Sequence, residues 1–200
     1  MAELDSKHLQ HVKQGSDLIY SKQQITTALD QMAVQLEQRL LGKNPIVLCV
    51  MNGGLVFTSD LIRHMDCDVR IDYVHVSRYQ NDTTGGELEW LRVPQSTFQD
   101  QVVLIADDIF DEGHTLAELV AYCKSKGARE VISCVLLYKQ KQNRAMTLEP
   151  DYYGLLAPDR YVFGYGMDYQ GYLRNLPDIY ALGEVLSLIH ISEPTRRSVI

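Results

Sequence analysis

The chain has 200 residues, of which 46% are hydrophobic, and this suits one globular domain with a sizeable core. Its formal net charge of −7 argues against nucleic acid as the main partner. No signal peptide and no apolar run of membrane length is recognisable, so we expect a cytoplasmic protein without a membrane partner.

The four cysteines predict free thiols. None of them forms a Cys-x-x-Cys pair, and three of them lie in apolar runs. Buried free thiols are therefore expected rather than a disulfide or a zinc site. The residues concerned are Cys49, Cys67, Cys123 and Cys134.

Strands and helices alternate along the chain, which is typical of an α/β fold with a mainly parallel central sheet flanked by helices. The first clear helix is predicted over 21–41 from the spacing of its apolar residues, with Gly42 ending it. A strand at 102–106 carries the β-branched residues typical of the interior of a parallel sheet. The other predicted elements are, in chain order, a strand at 45–51, a helix at 54–65, a strand at 69–77, a helix that begins near 116, and strands at 131–138, 161–163 and 179–182.

The strand at 102–106 runs directly into two adjacent carboxylates, Asp107 and Asp108, which we call the acid pair. The C-terminal ends of parallel strands are where ligands bind. In an extended chain the two side chains point to opposite faces, so one can reach a ligand directly while the other acts from behind or through the water shell of a metal ion. Without a cation or hydroxyl groups between them, the two acids would repel each other.

A turn over 111–115 follows the acid pair and leads into the helix near 116. Gly113 permits a tight turn, Thr115 offers a hydroxyl group, and the free N–H groups at a helix start favour a phosphate. The acid pair and the turn together indicate a site for a phosphorylated sugar. The alternative is that Asp111 and Thr115 only cap the helix.

This segment resembles the phosphoribosyl-pyrophosphate motif of type I phosphoribosyltransferases, in which a hydrophobic strand precedes paired acids and an Asp-Thr-Gly-x-Thr loop. The resemblance implies the type I phosphoribosyltransferase fold, with a small hood subdomain and a mobile lid loop. It also implies that Asp107 and Asp108 bind the ribose of phosphoribosyl pyrophosphate. Asp111 would be the catalytic base, which accepts a proton at N7 of a purine.

The implied phosphate loop holds the 5′-phosphate largely through backbone N–H groups. The sequence departs from the family's motif at Glu112, where Thr is usual. The departure is tolerable if the Glu112 carboxylate faces solvent, whereas affinity would suffer if it faced the phosphate. The loop consists of Asp111, Glu112, Gly113, His114 and Thr115.

A second turn extends the resemblance. Met51, Asn52 and Gly53 close a strand just before a helix, where glycines let backbone amides approach an anion. In the family this turn grips pyrophosphate, with a cis peptide implied here between Met51 and Asn52. Considered alone, the same residues fit a strand-to-helix turn without a ligand.

The polar stretch between 78 and 94 is too long for a minimal turn, and such loops are usually functional lids or disordered segments. Ser77, Arg78 and Tyr79 resemble part of a mobile lid, whose closure would exclude water from the reaction. A solvated hairpin fits this stretch equally well.

Residues beyond 138 narrow the resemblance to the hypoxanthine-guanine branch. Lys139 would donate to the 6-oxo oxygen that hypoxanthine and guanine share, and Tyr161 would stack on the base. Asp168 would join the acid pair in binding Mg²⁺, and Arg174 would hold pyrophosphate. Taken singly, such lysines usually lie at the surface and such tyrosines in the core or at its rim. The implied purine-binding residues are Ile109, Lys139, Tyr161, Val162 and Met167.

The resemblance implies a purine salvage enzyme that joins hypoxanthine or guanine to phosphoribosyl pyrophosphate, giving IMP or GMP and pyrophosphate, with Mg²⁺ as cofactor. It also implies a homodimer or a homotetramer. A xanthine-preferring enzyme stays open, because discrimination at purine C2 depends on main-chain geometry. A regulatory protein on the same fold would bind nucleic acid as well, but the sequence has no Lys/Arg cluster for it. A nucleotide hydrolase would need a Gly-x-x-x-x-Gly-Lys-Ser/Thr loop, which the sequence lacks.

We expect residues 1–185 to form a single phosphoribosyltransferase domain. Its core would span about 21–160, and its hood would combine the N-terminal residues with about 161–185. The last fifteen residues, 186–200, resemble one reading frame of a transposase-type sequencing adapter, so we expect a non-native tail. The alternative is an apolar tail that docks on a neighbouring subunit.

Overall fold

A computed structural model describes residues 5–78, 88–141 and 147–183. The helices in this part of the chain are α1 (Ser6–Gln14), α2 (Lys22–Leu40), α3 (Gly54–Arg63) and α4 (His114–Ser125). The strands are β1 (Asp17–Tyr20), β2 (Ile46–Met51), β3 (Arg70–Arg78), β4 (Leu88–Arg92), β5 (Val102–Phe110), β6 (Glu130–Lys139), β7 (Tyr152–Ala157), β8 (Val162–Phe163) and β9 (Ile179–Ala181).

Six strands form the central sheet, in the order β4-β3-β2-β5-β6-β7. The edge strand β4 pairs antiparallel with β3, and all the other neighbours in this sheet are parallel. The predicted α/β fold with a mainly parallel sheet is therefore confirmed. Because β2, β5 and β6 are adjacent and parallel, their C-terminal ends meet at one edge of the sheet. The predicted ligand-binding residues of these strands lie at that edge.

Strand β5 is buried on both faces because helices cover both sides of the sheet. Val102, Leu104 and Ala106 pack on the side of α2 and α3. Val103 and Ile105 alternate with them and pack on the side of α4. A strand buried in this way needs apolar residues at every position, which explains why its sequence shows a continuous apolar run.

Helix α2 follows from its sequence pattern. A capping box begins the helix, in which the Ser21 side chain accepts from the N–H of Gln24 while the Gln24 side chain accepts from the N–H of Ser21. Apolar residues at helical spacing, among them Ile25, Leu29 and Leu36, are buried against the sheet. The predicted helix over 21–41 is confirmed to within one residue at each end.

A second, antiparallel sheet has the strand order β1-β9-β8. Val12 of α1 packs beside this sheet against Phe163, Tyr169 and Leu182. The small sheet thus joins the two segments from which the hood was predicted, although the division of the chain into core and hood stays a prediction.

The sequence analysis does not predict four of the described elements, namely α1, β1, β4 and β7. Strands β4 and β7 form the two edges of the central sheet, and β1 forms an edge of the small sheet. Their residues are partly exposed, so these strands lack the continuous apolar run that marks a central strand.

Some predictions fall on segments outside the described residues. Tyr79 of the predicted lid and the tail 186–200 are among them. The lid's Ser77 and Arg78 end β3, where Arg78 pairs with Leu88 of β4. Within the described ranges, none of the helices combines the length and apolar character that crossing a membrane requires.

The prediction of free thiols is confirmed, and their predicted burial is confirmed for three of the four cysteines. All four cysteines are free. Three of them are buried, and Cys67 is partly exposed. These three thiols are buried because they lie within apolar strands or helices of the core.

Candidate active site

The acid pair lies inside β5, because this strand continues past Ala106, where the prediction ended it, to Phe110. Both side chains are partly exposed at the C-terminal edge of the sheet, and the N–H of Asp108 donates to Oδ1 of Asp107 over 2.9 Å. Burial raises the pKa of both carboxyl groups, and the charge of Asp108 raises the pKa of Asp107 further. The pair is therefore suited to a ligand that supplies positive charge or hydroxyl groups.

The turn after β2 lies against the acid pair. The peptide between Met51 and Asn52 is cis, as the resemblance implied. A Cβ atom at Gly53 would lie 1.8 Å from Oδ2 of Asp108, so a larger residue at this position would displace that carboxylate. The close approach brings the start of α3 to the acid pair, and the N–H groups of a helix start can bind an anion.

The turn between β5 and α4 places a glycine at the N-cap of the helix. Its N-cap residue is Gly113, whose φ of 84° lies in the left-handed region that favours glycine. Neither Asp111 nor Thr115 occupies the N-cap position, and the first N–H groups of α4 suit a phosphate.

A cavity of about 340 Å³ opens between these segments, and we call it the sugar cavity. Its size is in the range of small-molecule sites. Asn52 and His114, which are also described, are not among its lining residues. The predicted site residues that line it are Met51, Gly53, Ser77, Asp107, Asp108, Ile109, Asp111, Glu112, Gly113 and Thr115.

A second cavity of about 220 Å³ adjoins the first, and we call it the base cavity. Val162 and Met167 are buried in its wall, whereas Tyr161 is 38% exposed and offers a ring to a ligand. The Tyr161 hydroxyl donates to the carbonyl oxygen of Asp168 over 2.9 Å, which holds the ring in place. The residues that line this cavity are Asp108, Ile109, Asp111, Lys139, Tyr161, Val162, Met167 and Asp168. All five predicted purine-binding residues are among them.

Two lysines hold the carboxylate of Asp111. Lys139 Nζ lies 3.0 Å from Oδ2 of Asp111, and Lys141 Nζ lies 2.6 Å from Oδ1. Burial by itself would raise the pKa of Asp111, but the hydrogen bonds and charges of Lys141 and Lys139 outweigh it and lower the pKa below its ordinary value. Asp111 is therefore ionised at neutral pH.

Asp168 and Arg174 pair with each other. Arg174 Nη2 lies 2.7 Å from Oδ1 of Asp168, and the N–H of Gly171 donates to Oδ2 of Asp168 over 2.7 Å. The charge of Arg174 also opposes the rise in the pKa of Asp108, as a cation near the acid pair would. Among the described residues, no group of three or more His, Cys, Asp or Glu side chains is placed to hold a metal ion. Asp108 and Asp168 do line the base cavity together, and the binding of one metal ion by Asp168 and the acid pair stays a prediction.

Known proteins are similar to this chain in sequence and in fold. Residues 15–170 match the phosphoribosyl transferase domain. The chain is 31% identical over 166 residues to the hypoxanthine-guanine phosphoribosyltransferase of Lactococcus lactis, with 82% of this chain and 90% of that relative covered. It is 29% identical over 167 residues to the hypoxanthine-guanine-xanthine phosphoribosyltransferase of Tritrichomonas foetus, with 84% and 91% covered. The crystal structure of a hypoxanthine phosphoribosyltransferase from Staphylococcus aureus matches with a TM-score of 0.82 and 29% identity, over 92% of this chain and 98% of that one.

The chain belongs to the phosphoribosyl transferase family. As a phosphoribosyltransferase, it is an enzyme, and its similarity to the solved structure confirms the predicted type I phosphoribosyltransferase fold. The regulatory alternative on the same fold is thereby set aside.

Lys141 of this phosphoribosyltransferase is a site residue that the sequence analysis misses. It contacts both Asp111 and Glu112 of the phosphate loop. A signal was present, because Lys141 follows Lys139 by two residues and alternate residues of an extended chain lie on one side. The decisive contact, however, joins residues about thirty positions apart, and only the pairing of β5 with β6 brings them together.

Proposed function

We propose that this phosphoribosyltransferase transfers the ribose 5-phosphate of phosphoribosyl pyrophosphate to hypoxanthine or guanine, giving IMP or GMP and pyrophosphate. The observation that carries the proposal is that the sugar cavity and the base cavity share Asp108, Ile109 and Asp111. A sugar carbon in one cavity and a purine nitrogen in the other would meet at these shared residues. Holding two reactants in contact in this way is a large part of catalysis.

In the sugar cavity, the acid pair would hold the ribose hydroxyl groups, and the loop 111–115 would hold the 5′-phosphate through its N–H groups. Met51, Asn52, Gly53 and Arg174 would bind the pyrophosphate. Negative charge grows on the departing oxygens as the bond to C1′ breaks. N–H groups and a guanidinium aimed at those oxygens lower the barrier.

The oxygen donors of the site fit Mg²⁺. This ion prefers oxygen ligands and is usually held by one or two protein carboxylates, with substrate phosphates and water completing the shell. Asp107 and Asp108 supply such carboxylates, and their raised pKa values reflect an environment that favours added positive charge. When bound, the ion would neutralise charge on the pyrophosphate. Each oxygen of Asp168 contacts one protein donor, Arg174 at Oδ1 and the N–H of Gly171 at Oδ2, and each keeps a second lone pair that could bind the ion.

In the base cavity, Lys139 would donate to the 6-oxo oxygen of the purine, and Tyr161 would stack on its ring. An ammonium group has three donor hydrogens, so Lys139 can give up its contact with Asp111 and donate to the incoming base instead. Asp111, which is ionised, would accept the proton that the purine loses at N7. Withdrawal of Lys139 would make Asp111 a stronger base, because one of the charges that lower its pKa has moved away.

A xanthine-accepting activity is the second candidate. The relative from Tritrichomonas foetus is named for hypoxanthine, guanine and xanthine, and its identity to this chain is close to that of the bacterial relative. Discrimination would take place at purine C2, next to the main chain of Val162.

We further propose that the enzyme works in the cytoplasm as a homodimer or a homotetramer, with free thiols in support of a reducing compartment. The lid role of Ser77, Arg78 and Tyr79 stays a prediction, although Ser77 does line the sugar cavity.

The test is a spectrophotometric assay in which hypoxanthine, guanine, xanthine or adenine is offered with phosphoribosyl pyrophosphate and Mg²⁺. We expect turnover of hypoxanthine and guanine and none of adenine, since adenine lacks the 6-oxo oxygen that Lys139 would bind. Turnover of xanthine at a rate similar to that of hypoxanthine would favour the second candidate. Failure of the protein to turn over any of the four bases would overturn the proposal.

A further inference from the structure

Glu112 places a second negative charge next to the proposed phosphate site. It lies between Asp111 and Gly113 in the phosphate loop, and all three residues line the sugar cavity. The Glu112 side chain is 38% exposed, so its carboxylate is not buried in the core away from the site. An unpaired carboxylate at this position would repel the 5′-phosphate, because like charges separated by a few ångströms raise the free energy of binding.

Lys141 neutralises this charge. Its ammonium group contacts Oε1 of Glu112 and lies 2.6 Å from Oδ1 of Asp111, so a single cation joins two consecutive carboxylates. The Lys141 side chain is only 18% exposed. Burial alone would lower its pKa, but the hydrogen bonds and charges of Asp111 and Glu112 outweigh burial and raise the pKa, so Lys141 stays protonated.

The pairing of strands in the central sheet brings Lys141 next to the phosphate loop. Strands β5 and β6 are parallel neighbours, and Phe110 pairs with Tyr138 near their ends. The residues that follow each strand therefore emerge side by side. With Lys139 on the other oxygen of Asp111, the two acids of the loop face two lysines, and Asp159 adds a more distant carboxylate, 3.9 Å from Lys139 Nζ and 3.8 Å from Lys141 Nζ.

We propose that Lys141 is a positioning residue of the phosphate loop, which neutralises Glu112 and so allows a loop that carries an acid to bind the anionic sugar phosphate. This inference rests on the proposed function. Lys141 also holds Oδ1 of Asp111, the proposed base, so its removal should affect kcat as well. Its effect on the binding of phosphoribosyl pyrophosphate is exerted through Glu112, and the KM for this substrate should therefore depend on Lys141 only while Glu112 is present.

Four variants test this dependence. Lys141→Met removes the cation, Glu112→Gln removes the acid, and the double variant removes both. Lys43→Met is the matched control, because Lys43 forms a similar ion pair with Glu130, at 2.8 Å, among residues that do not line either cavity. The measurements are the KM for phosphoribosyl pyrophosphate, the KM for hypoxanthine and the melting temperature.

We expect Lys141→Met to raise the KM for phosphoribosyl pyrophosphate by about tenfold, which is the effect of one uncompensated charge in a partly solvated site. The KM for hypoxanthine should change much less. Adding Glu112→Gln to Lys141→Met should restore the KM for phosphoribosyl pyrophosphate to within about threefold of the parent. A role limited to packing would not be rescued in this way, and Lys43→Met should leave both KM values unchanged.

The outcomes separate the two proposals. If the parent enzyme is active but Lys141→Met leaves the KM for phosphoribosyl pyrophosphate unchanged, or Glu112→Gln fails to rescue it, the role of Lys141 is overturned and the proposed function stands. If the parent neither binds phosphoribosyl pyrophosphate nor turns over a purine, both proposals fall. Lys141→Gln, which keeps a polar head group, replaces Lys141→Met should the latter fail to fold.

Discussion

Replacement of Gly53 by alanine tests whether the turn after β2 positions the acid pair. Gly53 has φ −62° and ψ −44°, which alanine adopts freely, so backbone strain does not arise. The added Cβ atom would lie 1.8 Å from Oδ2 of Asp108, whereas ordinary contact begins at 3.4 Å, so the turn or the carboxylate must move by about 1.6 Å. Because a misplacement of about 1 Å can lower a rate about 100-fold, we expect kcat/KM to fall by about this factor or more.

The assay is steady-state turnover of hypoxanthine with varied phosphoribosyl pyrophosphate, measured beside thermal unfolding. The Asp108 side chain can swing aside, so the melting temperature of Gly53→Ala should stay close to that of the parent. Gly42→Ala is the control, because a Cβ atom there meets nothing within 4 Å and only its φ of 70° is unfavourable. It should lose about 1 kcal/mol of stability and keep its activity. A kcat/KM of Gly53→Ala within about twofold of the parent would refute the reasoning.

Three further substitutions separate the roles of the site residues. Asp111→Asn should lower kcat by about 100-fold or more, because it removes the general base. Calorimetry should find nearly unchanged binding of phosphoribosyl pyrophosphate to this variant. Equal kcat values of variant and parent would reject the role of Asp111 as the base. Lys139→Met should lower kcat/KM for hypoxanthine by about tenfold or more through loss of a charged hydrogen bond, and an unchanged value would contradict the assignment. Asp107→Asn should raise the melting temperature at neutral pH. Burial and the charge of Asp108 raise the pKa of Asp107, so its ionised form destabilises the folded chain and stability increases as the pH falls through that raised pKa. A lower melting temperature of Asp107→Asn would show that the carboxylate stabilises the fold instead.

The elements of the sheet interior were the most predictable part of the fold. Helix α2 buries one face, which gives a strong apolar periodicity, and the first five residues of β5 are buried on both faces, which gives a continuous apolar run. The end of β5 was placed too early, because Asp107 and Asp108 interrupt the apolar run although the backbone continues as a strand to Phe110. Strands β4 and β7 were missed because an edge strand tolerates exposed residues at many positions.

The contacts between distant segments were the least predictable part of the site. The approach of Gly53 to Asp108 and the pairing of Asp168 with Arg174 depend on how the segments pack, not on any local pattern. The sequence left open whether the Glu112 carboxylate faces solvent or the phosphate. In the structure Glu112 is one of the residues that line the sugar cavity, and its carboxylate, on a side chain that is 38% exposed, is paired with Lys141.

The local chemistry of one segment can be predicted without the fold, because a buried strand, two adjacent acids and a glycine turn before a helix lie within fifteen consecutive residues. Short-range geometry is therefore enough to predict a site for a sugar phosphate. Which charges meet at that site depends on how distant segments pack. Lys139, Lys141 and Asp111 come together because parallel pairing sets β6 beside β5, and the pKa of Asp111 depends on distances of a few ångströms that no sequence spacing specifies.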